Sequence, residues 1–210
     1  MIWAEQWHPA DLGRAVVYLA GAYLLGCFTT GYYLVRARTG RDIREIDSGS
    51  VGARNVGRLL GRSGFFITVL GDVSKGALAV GLVHHLTDNL LLAGLALLAV
   101  TIGHVWPAQL GFRGGKGVST SLGGLLVLDH HLALVFVAVF LAGFVLTRKT
   151  ILPALFAYVC LPLACLWPER DNAHALVMAT LAALVLFTHR RNIIDEIPAL
   201  AARFGHEPKH

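Results

Sequence analysis

Long uncharged apolar runs alternate with short polar segments along almost the whole chain. The first run, Ala15 to Val35, holds no charged residue over 21 positions. As an α-helix rising about 1.5 Å per residue, it crosses the ~30 Å hydrocarbon core of a bilayer. Six later runs predict six further transmembrane helices: Phe65 to Val83, Leu90 to Val105, Val118 to Leu128, Leu132 to Leu146, Ile151 to Trp167 and Ala173 to Thr188.

The fourth of these runs decides the topology. Val118 to Leu128 forms only about 16 Å of helix, so it either begins earlier, near Lys116, or is a re-entrant segment that does not cross. Arginine and lysine discriminate between the two, because short translocated loops avoid them. Seven crossings with the N-terminus outside place 15 of the 18 basic residues inside and two outside, while Lys75 lies within the second run. Six crossings would place 10 basic residues inside and 7 outside. The sequence therefore predicts an all-α, polytopic membrane bundle of about seven helices with a cytoplasmic C-terminus.

The composition agrees with one helical membrane domain over residues 1–210. The chain is 55% hydrophobic, which is too apolar for an ordinary soluble domain. Its formal net charge of +5 is typical of cytoplasmic loops, so we expect no nucleic-acid partner. The cysteines lie in apolar runs without C-x-x-C spacing, and adjacent histidines such as His84-His85 and His130-His131 rarely ligate one ion. We expect neither a metal nor another cofactor.

The longest polar segment, Arg36 to Gly64, contains the first candidate site. From Asp47 to Arg58 it alternates small residues, hydroxyls and guanidinium groups. Glycine lets backbone N–H groups converge, serine adds donors, and arginine supplies a bidentate fork, so the combination suits an oxyanion such as phosphate. The alternative is a solvated loop whose arginines only set the topology. Composition alone favours neither interpretation.

A second glycine-rich loop surrounds Lys116, in the order Phe112-Arg113-Gly114-Gly115-Lys116-Gly117-Val118. If a helix begins here, its free N–H groups and positive dipole end favour an anion. The loop is not a Walker A motif, because glycine follows Lys116 where serine or threonine is required. A nucleotide triphosphatase is therefore not expected.

Two further motifs place charge inside or beside the membrane. Asp72 and Lys75 lie three residues apart on one face of a predicted helix, where charges must pair or face the bundle interior. We favour a structural ion pair over a role for Lys75 in lining a phosphate site. The segment Thr188 to Asn192 follows the last run. It is either a stop-transfer signal or the third wall of a site formed with the two loops.

Taken together, these residues resemble the bacterial membrane glycerol-3-phosphate acyltransferases that use acyl phosphate as the donor. Asp47 stands where glycine is usual in that family, and Ser50, Arg54 and Arg113 replace its asparagine, threonine and lysine. Four family patterns occur in order: S-G-N-x-G-A-T-N-x-x-R at Ser48 to Arg58, D-x-x-K-G at Asp72 to Gly76, G-H-x-x-P with F-K-G-G-K-G-V at Gly103 to Val118, and H-R-x-N-I at His189 to Ile193.

The resemblance implies an enzyme that transfers a fatty acyl group from acyl phosphate to the sn-1 hydroxyl of glycerol 3-phosphate, giving lysophosphatidic acid and phosphate. It implies a multi-pass protein of the bacterial inner membrane, surrounded by membrane lipids, with active-site loops facing the cytoplasm. A soluble phosphate acyltransferase could supply the donor. By analogy, the acyl phosphate is bound by Ser48, Gly49, Ser50, Val51, Gly52, Ala53, Arg54 and Asn55, and glycerol 3-phosphate by Arg58, Lys116, Thr150, His189 and Asn192, of which Arg58, Lys116 and His189 are catalytic.

The same residues predict how the reaction proceeds and which other functions compete. No cysteine or serine–histidine pair has the pattern of a nucleophile with its base, so we predict direct acyl transfer without a covalent intermediate. His189 and a substrate phosphate are both candidates for accepting the hydroxyl proton. The main alternative is a small anion or phosphate transporter, whose usual inverted repeats the sequence lacks. A non-catalytic scaffold would leave the recurring glycine-rich loops unexplained.

Overall fold

The structure, a computed structural model, describes residues 12–165 and 172–196 and contains no β-strand within them. The all-α fold class is therefore confirmed for the described residues. Two 3₁₀ turns, Ile43–Glu45 and Ala108–Leu110, lie in the glycine-rich loops, and a short helix, Arg190–Glu196, follows the last long one at an angle of 65°. The long helices are α1 (Leu12–Cys27), α2 (Thr30–Thr39), α3 (Ala53–Thr87), α4 (Leu90–Val105), α5 (Val118–Leu128), α6 (His130–Thr147), α7 (Ile151–Ala164) and α8 (Asn172–Thr188).

Not every predicted crossing forms a helix of full membrane length. α5 has the bounds predicted from the sequence and does not begin earlier than Val118, and α7 is also short. Trp167, the predicted end of the sixth run, lies outside the described residues. The seven crossings and their orientation stay predictions. By length and apolar composition, the described part of the chain has four spans, Leu12–Thr39, Ala53–Thr87, Leu90–Leu110 and His130–Thr147, and a fifth if α8 and Arg190–Glu196 are one bent span.

The first predicted helix is interrupted at Phe28 and Thr29, between α1 and α2. A break at membrane depth exposes carbonyl groups that need partners, because lipid supplies no hydrogen bonds. Lys75 Nζ donates to the carbonyl oxygens of Gly26 at 3.0 Å and Phe28 at 2.7 Å. Gln109 Nε2 donates to that of Cys27 at 2.6 Å. Side chains from distant parts of the chain therefore satisfy the interrupted helix.

Lys75 belongs to a buried ionic network at this break. Its Nζ lies 3.1 Å from Asp72 Oδ1 and 2.8 Å from His104 Nδ1. All three side chains are at most 5% exposed. The predicted structural ion pair is confirmed, because Lys75 directs its hydrogens to His104 and to the end of α1 and lies buried away from solvent.

Glycines bring pairs of helices into backbone contact. A Cβ atom added at Gly76 would lie 1.9 Å from the Thr120 carbonyl oxygen, and one at Gly123 would lie 2.0 Å from that of Val73, so α3 and α5 touch. α1 and α4 meet in the same way, with a Cβ at Gly26 only 2.2 Å from the Val100 oxygen. Such contacts are typical of helices in lipid. They fix the lengthwise position of α5, and so the end of the second glycine-rich loop.

Candidate anion-binding site between two loops and the tail

The first loop is folded around the side chain of Asn55. Its Nδ2 donates to the carbonyl oxygens of Ile46 and Ser50, both at 2.9 Å, and to that of Ile43 at 3.3 Å. Asn55 is 2% exposed, and Ile43 and Val51 are fully buried beside it. One amide thus holds three carbonyls on one side, which curls the chain into a closed turn before α3 begins.

Two residues with positive φ give this loop its curvature: Asp47 at 48° and Gly49 at 66°. The Gly49 amide donates to the Ile46 carbonyl at 3.0 Å, and the Gly52 amide to Ser50 Oγ at 3.2 Å. The eight predicted donor-binding residues therefore divide by position. Val51 and Asn55 are buried and build the loop, Gly49, Ser50, Gly52 and Ala53 are half-buried, and Ser48 and Arg54 are exposed.

A cleft of about 440 Å³ begins where α3 leaves this loop. α3 is kinked at Gly61, whose φ is 73°. Arg54 and Arg58 are four residues apart and both precede the kink, so they lie on one helical face. Arg62 is four residues further on, just after the kink. Phenylalanines add an apolar part to this cationic wall, and sequence reasoning missed them together with Arg62. The cleft is lined by Arg54, Gly57, Arg58, Gly61, Arg62, Phe65 and Phe66.

The second loop turns back over the end of α4. The Gly114 amide donates to the Val105 carbonyl and the Gly115 amide to the His104 carbonyl, both at 3.0 Å. The amides of Gly114 and Gly115 are therefore occupied by carbonyl groups of α4 and are not free to bind an anion. A Cβ added at Gly115 would lie 2.0 Å from His104 Nε2. Glycine is required here because the loop rests directly on the imidazole.

Lys116, at the tip of this loop, contacts the residues after α8. Its Nζ donates to Asn192 Oδ1, and its carbonyl oxygen accepts from Thr188 Oγ1 at 3.0 Å. His189 is 5% exposed, and its Nδ1 donates to the Val185 carbonyl at 2.9 Å. This hydrogen bond leaves Nε2 with the free lone pair. The tail therefore lies against the second loop at Lys116, and its role as the third wall of a site stays a prediction.

Several positively charged side chains lie near one another around Lys116. Burial lowers the pKa of Lys116, and the nearby positive charges of Arg54 and Arg58 lower it further, while Glu196 raises it. Burial is also the main reason that the pKa of His189 falls to about 4, with Lys116 and Arg54 adding to the effect and the Val185 carbonyl opposing it. His189 is thus neutral at pH 7. A cluster of like charges perturbed in this way is typical of a functional site.

Arg58 and Thr150 differ in how the structure places them. Arg58 forms an ion pair with Asp47, in which both side chains are about half exposed, at 50% and 49%. Thr150 is exposed and precedes α7 without a side-chain capping bond. Within the described residues its hydroxyl makes no hydrogen bond to Lys116 or Asn192, so a role for Thr150 in the site stays a prediction.

Arg44 joins the two loops, a role that sequence reasoning missed. Its Nη1 donates to the Leu110 carbonyl at 2.5 Å, and its Nη2 lies 2.6 Å from Asp42 Oδ2. The guanidinium also stacks 5.1 Å from the centroid of the Tyr32 ring. Arg44 holds the pKa of Asp42 below its usual value, mainly through their hydrogen bonds. In the sequence, Arg44 is one of seven basic residues between Arg36 and Gly64, and nothing in the pattern separates it from the others.

Fold and loops together define a helical membrane protein with a cationic, loop-built candidate site of a kind that suits an anion. Comparison with known proteins identifies the family within this class. The model of the glycerol-3-phosphate acyltransferase family matches residues 16–197. The chain belongs to the glycerol-3-phosphate acyltransferase family, as the sequence motifs predicted, and is a membrane acyltransferase of lipid biosynthesis.

Individual relatives support the assignment over most of the chain. The glycerol-3-phosphate acyltransferase 1 of Desulfitobacterium hafniense (strain Y51) is 46% identical over 175 residues, which cover 83% of this chain and 87% of that protein. The glycerol-3-phosphate acyltransferase of Synechococcus sp. (strain CC9902) is 37% identical over 93% of this chain and 98% of its own.

The fold also has a solved counterpart. The crystal structure of PlsY (YgiH), an integral membrane glycerol 3-phosphate acyltransferase in its glycerol 3-phosphate form, matches with a TM-score of 0.82 and 29% identity over 90% of this chain and 94% of that one. Its lysophosphatidic acid form matches with a TM-score of 0.79 and 28% identity, at the same coverage.

Proposed function

We propose that this protein transfers a fatty acyl group from acyl phosphate to the sn-1 hydroxyl of glycerol 3-phosphate, giving lysophosphatidic acid and inorganic phosphate. The convergence of Lys116, His189 and Asn192 beside Arg54 and Arg58 carries the proposal. The glycerol 3-phosphate and lysophosphatidic acid forms of the related structure support the acceptor and the product.

The two substrates each bring a phosphate group, so the site needs two cationic positions. We assign the acyl phosphate to the start of α3, where Ala53 and Arg54 are the first helical residues and their amides have no intrahelical acceptor. The hydroxyls of Ser48 and Ser50 lie in the turn just before them. The Phe65 side of the cleft offers apolar surface toward the membrane for the acyl chain.

We assign the phosphate of glycerol 3-phosphate to Lys116, Asn192 and Arg58, together with His189 and Thr150. Lys116 and Asn192 already contact one another. Arg58 lies close enough to Lys116 to lower its pKa. A dianion placed between these groups would relieve the repulsion among the cations. The acceptor hydroxyl would then lie beside the donor loop, because Arg54 and Arg58 share one face of α3.

In the proposed reaction, the sn-1 hydroxyl oxygen attacks the acyl carbon and forms the new ester bond. The bond from the acyl carbon to the bridging phosphate oxygen breaks, and phosphate leaves with that electron pair. The hydroxyl proton passes either to His189 Nε2 or to a phosphate oxygen of a substrate. Since acyl phosphate is already activated, the residues need mainly to position both substrates and stabilise the developing negative charge.

The membrane arrangement forms part of the proposal. We propose a single domain with seven crossings, in which α5 and α7 are the short ones and the loops and tail face the cytoplasm of the inner membrane. This placement agrees with the count of 15 basic residues inside against two outside. Soluble glycerol 3-phosphate could then reach a donor held in the membrane. A soluble phosphate acyltransferase could supply this donor, and the proposed reaction needs no cofactor.

The test measures phosphate release and lysophosphatidic acid formation by the purified protein with glycerol 3-phosphate and palmitoyl phosphate. Palmitoyl-CoA and palmitoyl acyl carrier protein are offered in parallel to identify the donor. Lys116→Ala should raise the KM for glycerol 3-phosphate, whereas the matched control Lys149→Ala, an exposed lysine, should not. Absence of product with every donor, together with uptake of labelled phosphate into liposomes, would instead identify an anion transporter.

A further inference from the structure

We propose that Asp47 sets the affinity for glycerol 3-phosphate, because its carboxylate forms an ion pair with Arg58 and must leave before a phosphate can bind there. The inference rests on the proposed function, in which Arg58 binds the phosphate of glycerol 3-phosphate. Its structural basis is the ion pair between Asp47 and Arg58. Asp47 lies outside the proposed donor-binding segment, which begins at Ser48.

The backbone of Asp47 is fixed next to the start of α3. The preceding carbonyl, that of Ile46, accepts hydrogen bonds from Asn55 Nδ2 at 2.9 Å and from the Gly49 amide at 3.0 Å. Asp47 itself has φ of 48°. Aspartate and asparagine are the non-glycine residues that adopt this conformation most readily. The carboxylate is therefore attached to a rigid turn, and only its side-chain torsions need to change for it to leave Arg58.

Arg58 is a strong site for an anion because of its neighbours. It lines the cleft with Arg54 and Arg62, and among the described residues neither of these two forms an ion pair with a carboxylate. Among the described residues, Asp47 thus supplies the carboxylate that partly neutralises this wall. A phosphate dianion, like a carboxylate, can bind the guanidinium in bidentate fashion, and it carries more negative charge, so it displaces Asp47.

The competition is mild because the pair is exposed. Both side chains are about half exposed, at 50% and 49%. Exposed ion pairs are weak, which corresponds to a change in apparent affinity of about two- to fivefold when the competitor is removed. The effect falls on KM, since at saturating substrate the pair is broken in the wild-type protein as well. Inorganic phosphate, the second product, competes for the same guanidinium, so Asp47 also weakens product inhibition.

The test compares the variants Asp47→Asn and Glu45→Gln. Asparagine tolerates the same positive φ as aspartate, so the first variant loses only the charge. Glu45→Gln makes the same change of charge in the same loop, and Glu45 is exposed and makes no pair with Arg58. We expect Asp47→Asn to lower the KM for glycerol 3-phosphate about two- to fivefold, with kcat and the KM for palmitoyl phosphate unchanged. Glu45→Gln should match the wild type.

Inhibition by inorganic phosphate gives a second kinetic readout, since its inhibition constant should fall by the same factor in Asp47→Asn. An unchanged KM for glycerol 3-phosphate in Asp47→Asn would overturn the inference, and so would an equal fall in Glu45→Gln, which would point to a general charge effect. Asp47→Gly, which removes the side chain and fits the backbone, guards against misfolding of the first variant and should give the same result.

A wild-type protein without acyltransferase activity would overturn the proposed function and this inference together. An active wild type whose KM is unaffected by Asp47→Asn overturns this inference alone. Stabilisation of the protein against heat by glycerol 3-phosphate does not depend on turnover. Its half-maximal concentration should fall about two- to fivefold in Asp47→Asn, and no change there would again count against Asp47.

Discussion

Replacing Gly115 with alanine tests whether the second loop is held in place by its contact with His104. The added Cβ would lie 2.0 Å from His104 Nε2 and 2.8 Å from Cε1. An ordinary van der Waals contact begins at 3.4 Å, so the loop or the ring must move by about 1.4 Å (3.4 minus 2.0). The next residue, Lys116, contacts Asn192, so any movement of the loop is transmitted to the site.

The size of the effect follows from which partner moves. His104 cannot move freely, because its Nδ1 lies 2.8 Å from Lys75 Nζ within the buried network. Overpacking at such a position costs about 1–3 kcal/mol, and losing the hydrogen bond between His104 and the charged Lys75 would cost about 1.5–3 kcal/mol more. The loop should therefore move instead. A misplacement of about 1 Å at Lys116 can reduce kcat/KM on the order of 100-fold.

The assay combines kcat/KM for glycerol 3-phosphate with the melting temperature of the protein in detergent. Gly21→Ala is the matched control, since nothing lies within 4 Å of a Cβ at Gly21. The Gly115→Ala change is also made in a His104→Ala background, where the imidazole is absent. There it should reduce kcat/KM and the melting temperature much less than it does in the wild-type protein. If Gly115→Ala keeps both its activity and its melting temperature, the loop does not rest on His104 as described.

Three further predictions concern the loop, the pH profile and the buried lysine. Asn55→Ala leaves the Ser50 carbonyl without its donor and removes one of two donors from the carbonyls of Ile43 and Ile46. It should therefore cost about 1–3 kcal/mol of unfolding free energy and raise the KM for palmitoyl phosphate; urea unfolding measures the first effect and steady-state kinetics the second. Burial lowers the pKa of His189 to about 4 from the 6.5 of unfolded histidine, so its contribution to stability is complete above pH 6.5 and is lost as the pH falls through about 4. In His189→Gln, the melting temperature should therefore depend less on pH over this range. Near-normal turnover by the same variant would exclude His189 as the general base. Lys75→Met isolates Asp72 in the bundle, so its melting temperature should fall far below that of the wild type, whereas Lys75→Met with Asp72→Asn should recover part of the loss.

Several features of the fold follow directly from the sequence. The apolar run Val118 to Leu128 coincides with α5, although an earlier start near Lys116 was expected for a full crossing. The pairing of Asp72 with Lys75 follows from their spacing of three on a helix that lipid surrounds. The tail was expected either as a stop-transfer signal or as a third wall, and its contact with Lys116 agrees with the second alternative, which stays a prediction.

Other features depend on contacts between distant parts of the chain. Neither Phe28 nor Thr29 is a helix breaker, and the partners that make the break tolerable, Lys75 and Gln109, are 47 and 82 residues away from the carbonyls they bind. The bridge from Arg44 to the Leu110 carbonyl could not be predicted either, because its two partners are 66 residues apart and Arg44 lies among other basic residues. The ion pair of Asp47 with Arg58 depends on the fold of the turn between them.

The interruption of the first membrane segment also dictates an order of assembly. As the chain emerges from the ribosome, α1 and α2 are made well before the donors of Lys75 and Gln109 exist. Until then the carbonyls at Gly26, Cys27 and Phe28 must be served by water or by a continuous helix. α1 and α2 are therefore synthesised before the residues that satisfy the break between them, and they can reach their final shape only after Lys75 and Gln109 have followed.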